Sequence, residues 1–222
     1  MAVGEPLLAH APNGAEALPP SALTRGQAAI KRSVDIVGAF LGLLLLAPVG
    51  LFIALAIRLD SEGPVVFRQT RVGRDGRSFQ MFKFRTMIVG AHEQRRILEA
   101  LNETTGVFKL AHDPRVTRVG RILRDVAIDE LPQLINVLRG DMSFVGPRPL
   151  VPEEDRLVGP CREARLAIRP GLTGPWQRLP HPRPPLEAMV ELDCAYASRW
   201  TLQGDIRIVL ATFAEMVRFR GL

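Results

Sequence analysis

A chain of 222 residues with 47% apolar content is long enough for one domain with a real core and too apolar to be disordered throughout. Lys and Arg total 29 against 23 Asp and Glu, a net +6 with only 23% charged residues, a pairing that favours a membrane-associated basic protein over a nucleic-acid binder. The two cysteines, Cys161 and Cys194, form no CxxC pair and have no His at ligand spacing, so neither a disulfide framework nor a zinc site is expected, and free thiols in a reducing compartment are the simplest reading.

The charge is uneven. Residues 58–148 hold sixteen Lys/Arg against eleven Asp/Glu, while 1–57 balance at three each and 149–222 carry ten against nine. Only Lys31, Lys83 and Lys109 are lysines. The cations are therefore mostly guanidiniums, which suits bidentate phosphate contact but is equally explained by coding bias.

In chain order, residues 1–27 are Ala-, Pro- and Gly-rich and read as a disordered tail, not a signal peptide. Val37–Ile57 follows without a charge, about 31 Å as a straight helix, which matches the hydrocarbon thickness. Pro48 lies near its centre, where it removes a backbone donor and favours a bend. Cations flank both ends: Arg25, Lys31 and Arg32 before it, Arg58, Arg68, Arg71, Arg74 and Arg77 after it. A helix that bends and returns keeps both clusters on the cytoplasmic side, so a re-entrant helix over 28–58 is expected, with a Pro-kinked span as its competitor.

Pro64–Phe67 and Phe79–Phe84 read as short strands around the turn Gly73–Gly76. Helices are expected over Ala91–Asn102, Asp129–Leu138, Leu186–Trp200 and Asp205–Arg220, separated by a Pro-rich, irregular stretch over 149–185. On the last helix Ile206, Val209, Leu210, Phe213, Met216 and Val217 oppose Arg207, Glu215 and Arg218. Core packing is the default for that face, although Trp200 and the terminal arginines suit a lipid interface.

The candidate chemistry centres on Asp129-Glu130. Carboxylates at a helix start satisfy orphan amides, a purely structural role. Two adjacent carboxylates also repel each other, and a divalent cation keeps both ionised. Arg118, Arg121, Arg124, Arg139 and Arg148 surround them in sequence, as a magnesium-assisted reaction on a phosphorylated anion would require. Arg148 sits between two prolines in Val145-Gly146-Pro147-Arg148-Pro149, and Lys83-Phe84-Arg85 puts two cations on one face of an extended segment. No P-loop, GxGxxG or Ser/His/Asp elbow occurs, so NTP hydrolysis, dinucleotide redox chemistry and serine hydrolysis lose their usual footing.

Taken in order, Lys31-Arg32 and Asp35, the apolar run with Pro48, Gly63-Pro64-Val65-Val66-Phe67-Arg68-Gln69, Arg71-Val72-Gly73, Lys83-Phe84-Arg85-Thr86-Met87, Asp113-Pro114-Arg115-Val116-Thr117, Asp129-Glu130-Leu131-Pro132-Gln133, Asn136-Val137-Leu138, Gly140-Asp141-Met142-Ser143, Val145-Gly146-Pro147-Arg148-Pro149 and Arg169-Pro170-Gly171-Leu172-Thr173-Gly174 form one string. This string resembles the bacterial sugar transferases, the monotopic polyprenyl-phosphate phosphoglycosyl transferases, over residues 28 to 222. Ala47, Ala127 and Pro175–Arg178 depart from the family pattern.

The resemblance implies an α+β fold: a mostly helical cytoplasmic catalytic domain over 59–222 with a short β element, a re-entrant anchor and interfacial amphipathic helices. It implies transfer of a sugar 1-phosphate from a UDP-sugar to polyprenyl (undecaprenyl) phosphate, with release of UMP, at the cytoplasmic face of the bacterial inner membrane. Asp129 would be the nucleophile and form an aspartyl-phosphosugar. Glu130 would assist it, both acids would hold Mg²⁺, and Lys83, Arg85, Arg124 and Arg148 would contact substrate. Membrane lipids and a second copy of the chain are expected partners, and nucleic acid is not. The rival reading is a non-catalytic membrane adaptor with a basic lipid- or partner-binding face.

Overall fold

The computed structural model describes residues 23–91, 93–94, 113–178 and 186–219, with side chains to residue 214. The expected helix over Ala91–Asn102 lies largely outside these residues. The described parts fall into two compact units: one takes residues 23–32, 71–79 and 141–212, the other 33–70, 80–140 and 213–219. The class is α+β and mostly helical, as expected, with two two-stranded sheets among the described residues.

Helix α1 runs from Arg25 to Asp60 with Pro48 inside it. Its start is set by a reciprocal cap: the Gln27 amide donates to the Thr24 hydroxyl at 3.3 Å, and the Gln27 side chain accepts from the Thr24 amide at 2.9 Å. Leu44, Leu45, Leu51 and Phe52 are 65 to 77% exposed. Such a surface marks a membrane or partner contact, and α1 is the only helix among the described residues long and apolar enough to cross a membrane. One side of its C-terminal half instead packs inward. Ile53 and Ile57 join Val65, Phe84, Val119, Leu123, Ile128 and Leu131 in the second unit's core.

β1 (Val66–Val72) and β2 (Ser78–Phe84) pair across the expected turn, where Asp75 and Gly76 adopt left-handed φ values of 58° and 73°. The outer side of β2 meets a side chain in place of a strand. Asn136, fully buried on α3 (Gln133–Arg139), accepts from the Phe82 amide at 3.0 Å and donates to the Gln80 carbonyl at 2.7 Å. Between these elements, α2 (Arg118–Asp125) is capped by the Thr117 hydroxyl, which accepts from the Gly120 amide at 2.9 Å.

In the first unit, β3 (Ser143–Val145) and β4 (Gly171–Thr173) pair in parallel, Ser143 opposite Gly171 and Val145 opposite Thr173. The stretch expected to be irregular holds β4 and two short helices, α4 (Pro152–Asp155) and α5 (Arg162–Leu166). Leu150, Val158, Ala164, Val190 and Cys194 form the core over which α6 (Leu186–Ser198) lies. The free-thiol expectation is corrected here: Cys161 and Cys194 are paired, with Cα atoms 6.0 Å apart. A separation of 33 residues gave the sequence no spacing signal for that pairing.

The final helix, α7 (Leu202–Phe219), turns Asp205, Ile208 and Thr212 inward, Thr212 sharing a 2.6 Å hydrogen bond with Thr173. Leu202, Ile206, Leu210 and Phe213 form an exposed stripe instead of the expected core face, while Met216 and Val217 have no described side chains. Trp200, expected to favour an interface, is buried. Its indole nitrogen donates to Asp205 at 3.0 Å, and Asp205 also takes Lys31 of α1 at 2.5 Å and the Tyr196 hydroxyl at 2.6 Å.

Candidate active site

The acidic pair occupies a 3-10 turn, Ile128–Glu130, between α2 and α3, and not the first turn of a long α-helix as expected. Pro132 accounts for the difference. Lacking an N–H it cannot extend the turn's hydrogen bonding, so the turn closes from the Leu131 amide to the Ile128 carbonyl at 3.1 Å, and α-helix resumes only at Gln133. On the other side Ala127 takes a left-handed conformation, φ 52° and ψ 23°, which reverses the chain out of α2.

Core contacts of Ile128 and Leu131 seat the turn beside the last turns of α1. Asp129 and Glu130 are both half-buried. Lys83 reaches across from β2 to Glu130 Oε1 at 2.6 Å. Burial pushes the Asp129 carboxyl above its ordinary pKa; Lys83 opposes that, Glu130 adds to it, and Arg124 opposes it. A three-residue turn supplies little helix dipole. Of the groups around it, Lys83 and Arg124 therefore favour the charged form of Asp129, and the short turn adds little.

Arg124 is fixed by a chain of contacts that begins in the backbone. The Thr117 amide donates to the Thr86 carbonyl at 3.1 Å, and Arg124 Nε donates to the Thr86 hydroxyl at 2.9 Å. Gly120 lets α2 sit against Thr86, since a Cβ there would press into the Thr86 carbonyl. Lys83 and Arg85 flank Phe84, which enters the core, but their partners differ. Arg85 is buried at the end of α1, where its Nη2 donates to the Ser61 carbonyl at 2.6 Å, the Ser61 hydroxyl at 3.0 Å and the Ile57 carbonyl at 3.3 Å.

Arg148 belongs to the first unit. Its guanidinium carbon lies 4.7 Å from the centroid of the Trp176 ring, a cation–π geometry. Sequence reasoning missed three groups that shape these sites. Asn136 locks α3 to β2, and its signal was a polar residue within an apolar helical stripe. Arg115 is buried in a 2.6 Å pair with Asp113, whose carboxyl it holds below the ordinary range. Asp193 and Arg165 lie far from Arg148 in sequence, and no local pattern announces them.

Two adjacent, half-exposed carboxylates fit Mg²⁺, which uses one or two carboxylates and takes its other ligands from water and substrate phosphates. Among the described residues no cluster of three or more His, Cys, Asp or Glu side chains offers a fuller cage. A carboxylate flanked by cations, on a turn packed beside the end of a long apolar helix, is equipped to attack an electrophilic phosphorus whose oxygens those cations hold.

Comparison with known proteins identifies the family. The model of the bacterial sugar transferase family matches residues 26–219. The galactosyl transferase CpsE of Streptococcus agalactiae is 44% identical over 193 residues, covering 86% of this chain and 43% of that protein. The exopolysaccharide production protein ExoY of Rhizobium meliloti is 39% identical over 196 residues, 86% of this chain and 87% of its own length. The UDP-glucose:undecaprenyl-phosphate glucose-1-phosphate transferase of Escherichia coli K12 is 41% identical over 191 residues, 82% of this chain and 39% of that protein. The chain thus spans less than half of two of these relatives and most of the third, and across the span they share it belongs to the bacterial sugar transferase family.

Proposed function

We propose that this chain moves a sugar 1-phosphate from a UDP-sugar onto polyprenyl phosphate, releasing UMP, at the cytoplasmic face of the inner membrane. The observation that carries the reading is the seat of Asp129: a cation-flanked carboxylate on a turn packed against the end of the apolar helix.

In the first half-reaction an Asp129 carboxylate oxygen attacks the β-phosphorus of the donor. The bond from that phosphorus to the bridging oxygen breaks, UMP departs with the oxygen, and an aspartyl-phosphosugar remains. In the second, a phosphate oxygen of the polyprenyl phosphate attacks the same phosphorus, the acyl phosphate bond breaks, and the Asp129 carboxylate is regenerated with the lipid diphosphate sugar formed. Dividing the displacement this way avoids bringing two anionic substrates together at once. Lys83 offsets the charge of Glu130 and of the incoming diphosphate, and Arg124, anchored through Thr86, contributes a second fixed cation. Arg148 grips donor phosphate oxygens, and Arg85 fixes the end of α1 relative to the strand that carries Lys83. Mg²⁺ held by Asp129 and Glu130 would supply further neutralisation of the diphosphate.

A re-entrant path for α1 is supported by Pro48 within the helix and by the cations that flank it at both ends. Lys31 at its start bonds Asp205, and Asp60 at its end accepts from the Val119 amide at 3.0 Å. The exposed stripe of α7 then suits the lipid interface.

The test is UMP release from UDP-glucose and UDP-galactose by membrane-extracted protein, with exchange of labelled UMP into the donor in the absence of lipid acceptor. Wild-type protein is expected to exchange label and to gain the mass of a hexose phosphate. Asp129→Asn should remain membrane-bound and lose both signals; full activity in that variant overturns the assignment of the nucleophile.

A further inference from the structure

The loop that carries Arg148 is held more completely than two prolines explain. The Pro147 carbonyl accepts from the Gly171 amide at 2.9 Å, the Pro149 carbonyl from Arg71 Nη1 at 3.1 Å, and the Leu150 carbonyl from the Val72 amide at 2.9 Å. Arg148 itself is gripped on both sides of its backbone. Its amide donates to Asp193 Oδ2 at 3.1 Å, and its carbonyl accepts from Arg165 Nη2 at 2.7 Å. The two gripping residues are bonded to each other, Arg165 Nε to the same Asp193 oxygen at 3.1 Å. The ring is closed: amide, carboxylate, guanidinium, carbonyl.

Asp193 and Arg165 are 1% and 5% exposed, so neither can meet substrate, and both are expensive groups to bury. Burial pushes the Asp193 carboxyl up to about 6, against the opposing pull of Arg165 and the Arg148 amide. A buried ion pair is a weak source of net stability and a strong source of fixed geometry for whatever it bonds. Here what it bonds is the backbone of a single half-exposed arginine, whose guanidinium is laid on Trp176. An anion gripped by a guanidinium already fixed in place immobilises less on binding.

We infer that Asp193 and Arg165 are positioning residues which act through the Arg148 backbone to aim its guanidinium at the donor phosphates, with Trp176 setting the plane of the fork. This rests on the assignment of Arg148 to donor binding made above. It assigns no contact with substrate to either buried residue.

The test is a double-mutant cycle on the full-length protein in detergent or vesicles, using Arg148→Ala, Asp193→Asn and the combination. Three quantities are read for each: the KM for whichever of UDP-glucose and UDP-galactose the wild type turns over, the Kd for UMP by calorimetry, and Tm. Asp193→Asn is expected to raise donor KM and UMP Kd about tenfold in the wild-type background and less than about twofold when Arg148 is already Ala, whereas the fall in Tm is the same in both. An equal factor in both backgrounds, or a fall in Tm with KM and Kd unchanged, overturns the positioning role and leaves the transferase reading standing. If Arg148→Ala leaves KM and Kd unchanged, the donor role of Arg148 fails and this inference with it. Should Asp193→Asn not fold, Arg165→Lys takes its place in the same cycle, because it keeps the charge beside Asp193 and loses the reach to the Arg148 carbonyl.

Discussion

Asp129 and Glu130 were legible as a candidate site because adjacency is a local property, and a pair of carboxylates in a basic segment stands out in one dimension. Their electrostatic support was not. Lys83 is 47 residues from Glu130, and nothing in its own neighbourhood marks it as that acid's partner rather than one more cation on an amphipathic strand. The pair's side chains are 26% and 31% exposed, so as a contribution to stability it is worth no more than about 1 kcal/mol. Its value lies in the charge it places beside Asp129, the proposed nucleophile. Lys83→Met should therefore lower the rate of UMP release more than tenfold while shifting Tm by less than about 4 °C. A rate loss matched by a large fall in Tm would reassign Lys83 to the fold.

At the scale of elements, the membrane helix, the strand pair and the two C-terminal helices could be anticipated because their periodicity and turn residues are strong. The small pieces between residues 149 and 178 could not. Four residues of α4 and three of β4 have no propensity signal of their own and exist because Pro147, Gly171 and Leu150 find backbone partners elsewhere in the chain. The same dependence on distant contacts governs α2. Its docking requires a bare Cα at residue 120, and the helix in turn sets where Arg124 stands. Gly120→Ala should destabilise the protein by about 1–3 kcal/mol, seen as a lowered Tm, and should cost activity in the protein that remains folded at the assay temperature. Unchanged stability would mean that α2 can retreat from Thr86 freely.

For the whole molecule, composition and the distribution of charge already marked a basic segment after an apolar one, and the exposed leucines and Phe52 of α1 agree with the second. What composition could not supply is the path of that anchor, since the helix contains Pro48 and carries cations at both ends under either topology. Cysteine accessibility resolves the path. In sealed vesicles Gly26→Cys, at a site with open space around it, and Ser78→Cys, at the exposed start of β2, should react with a membrane-impermeant maleimide from the same side. Wild-type protein, in which Cys161 and Cys194 are paired, sets the background. Labelling from opposite sides would establish a spanning helix.

The Asn136 carboxamide has a bearing on how the protein lives among its neighbours. A ribbon of two strands offers raw hydrogen-bonding groups to any extended polypeptide that drifts alongside, and crowding many copies on one membrane would raise the odds of such stacking. By filling the Phe82 and Gln80 positions with a side-chain amide, α3 seals that flank of β2 from within the same chain. The residue that fastens the acidic turn to the strand thus also guards the strand against self-association.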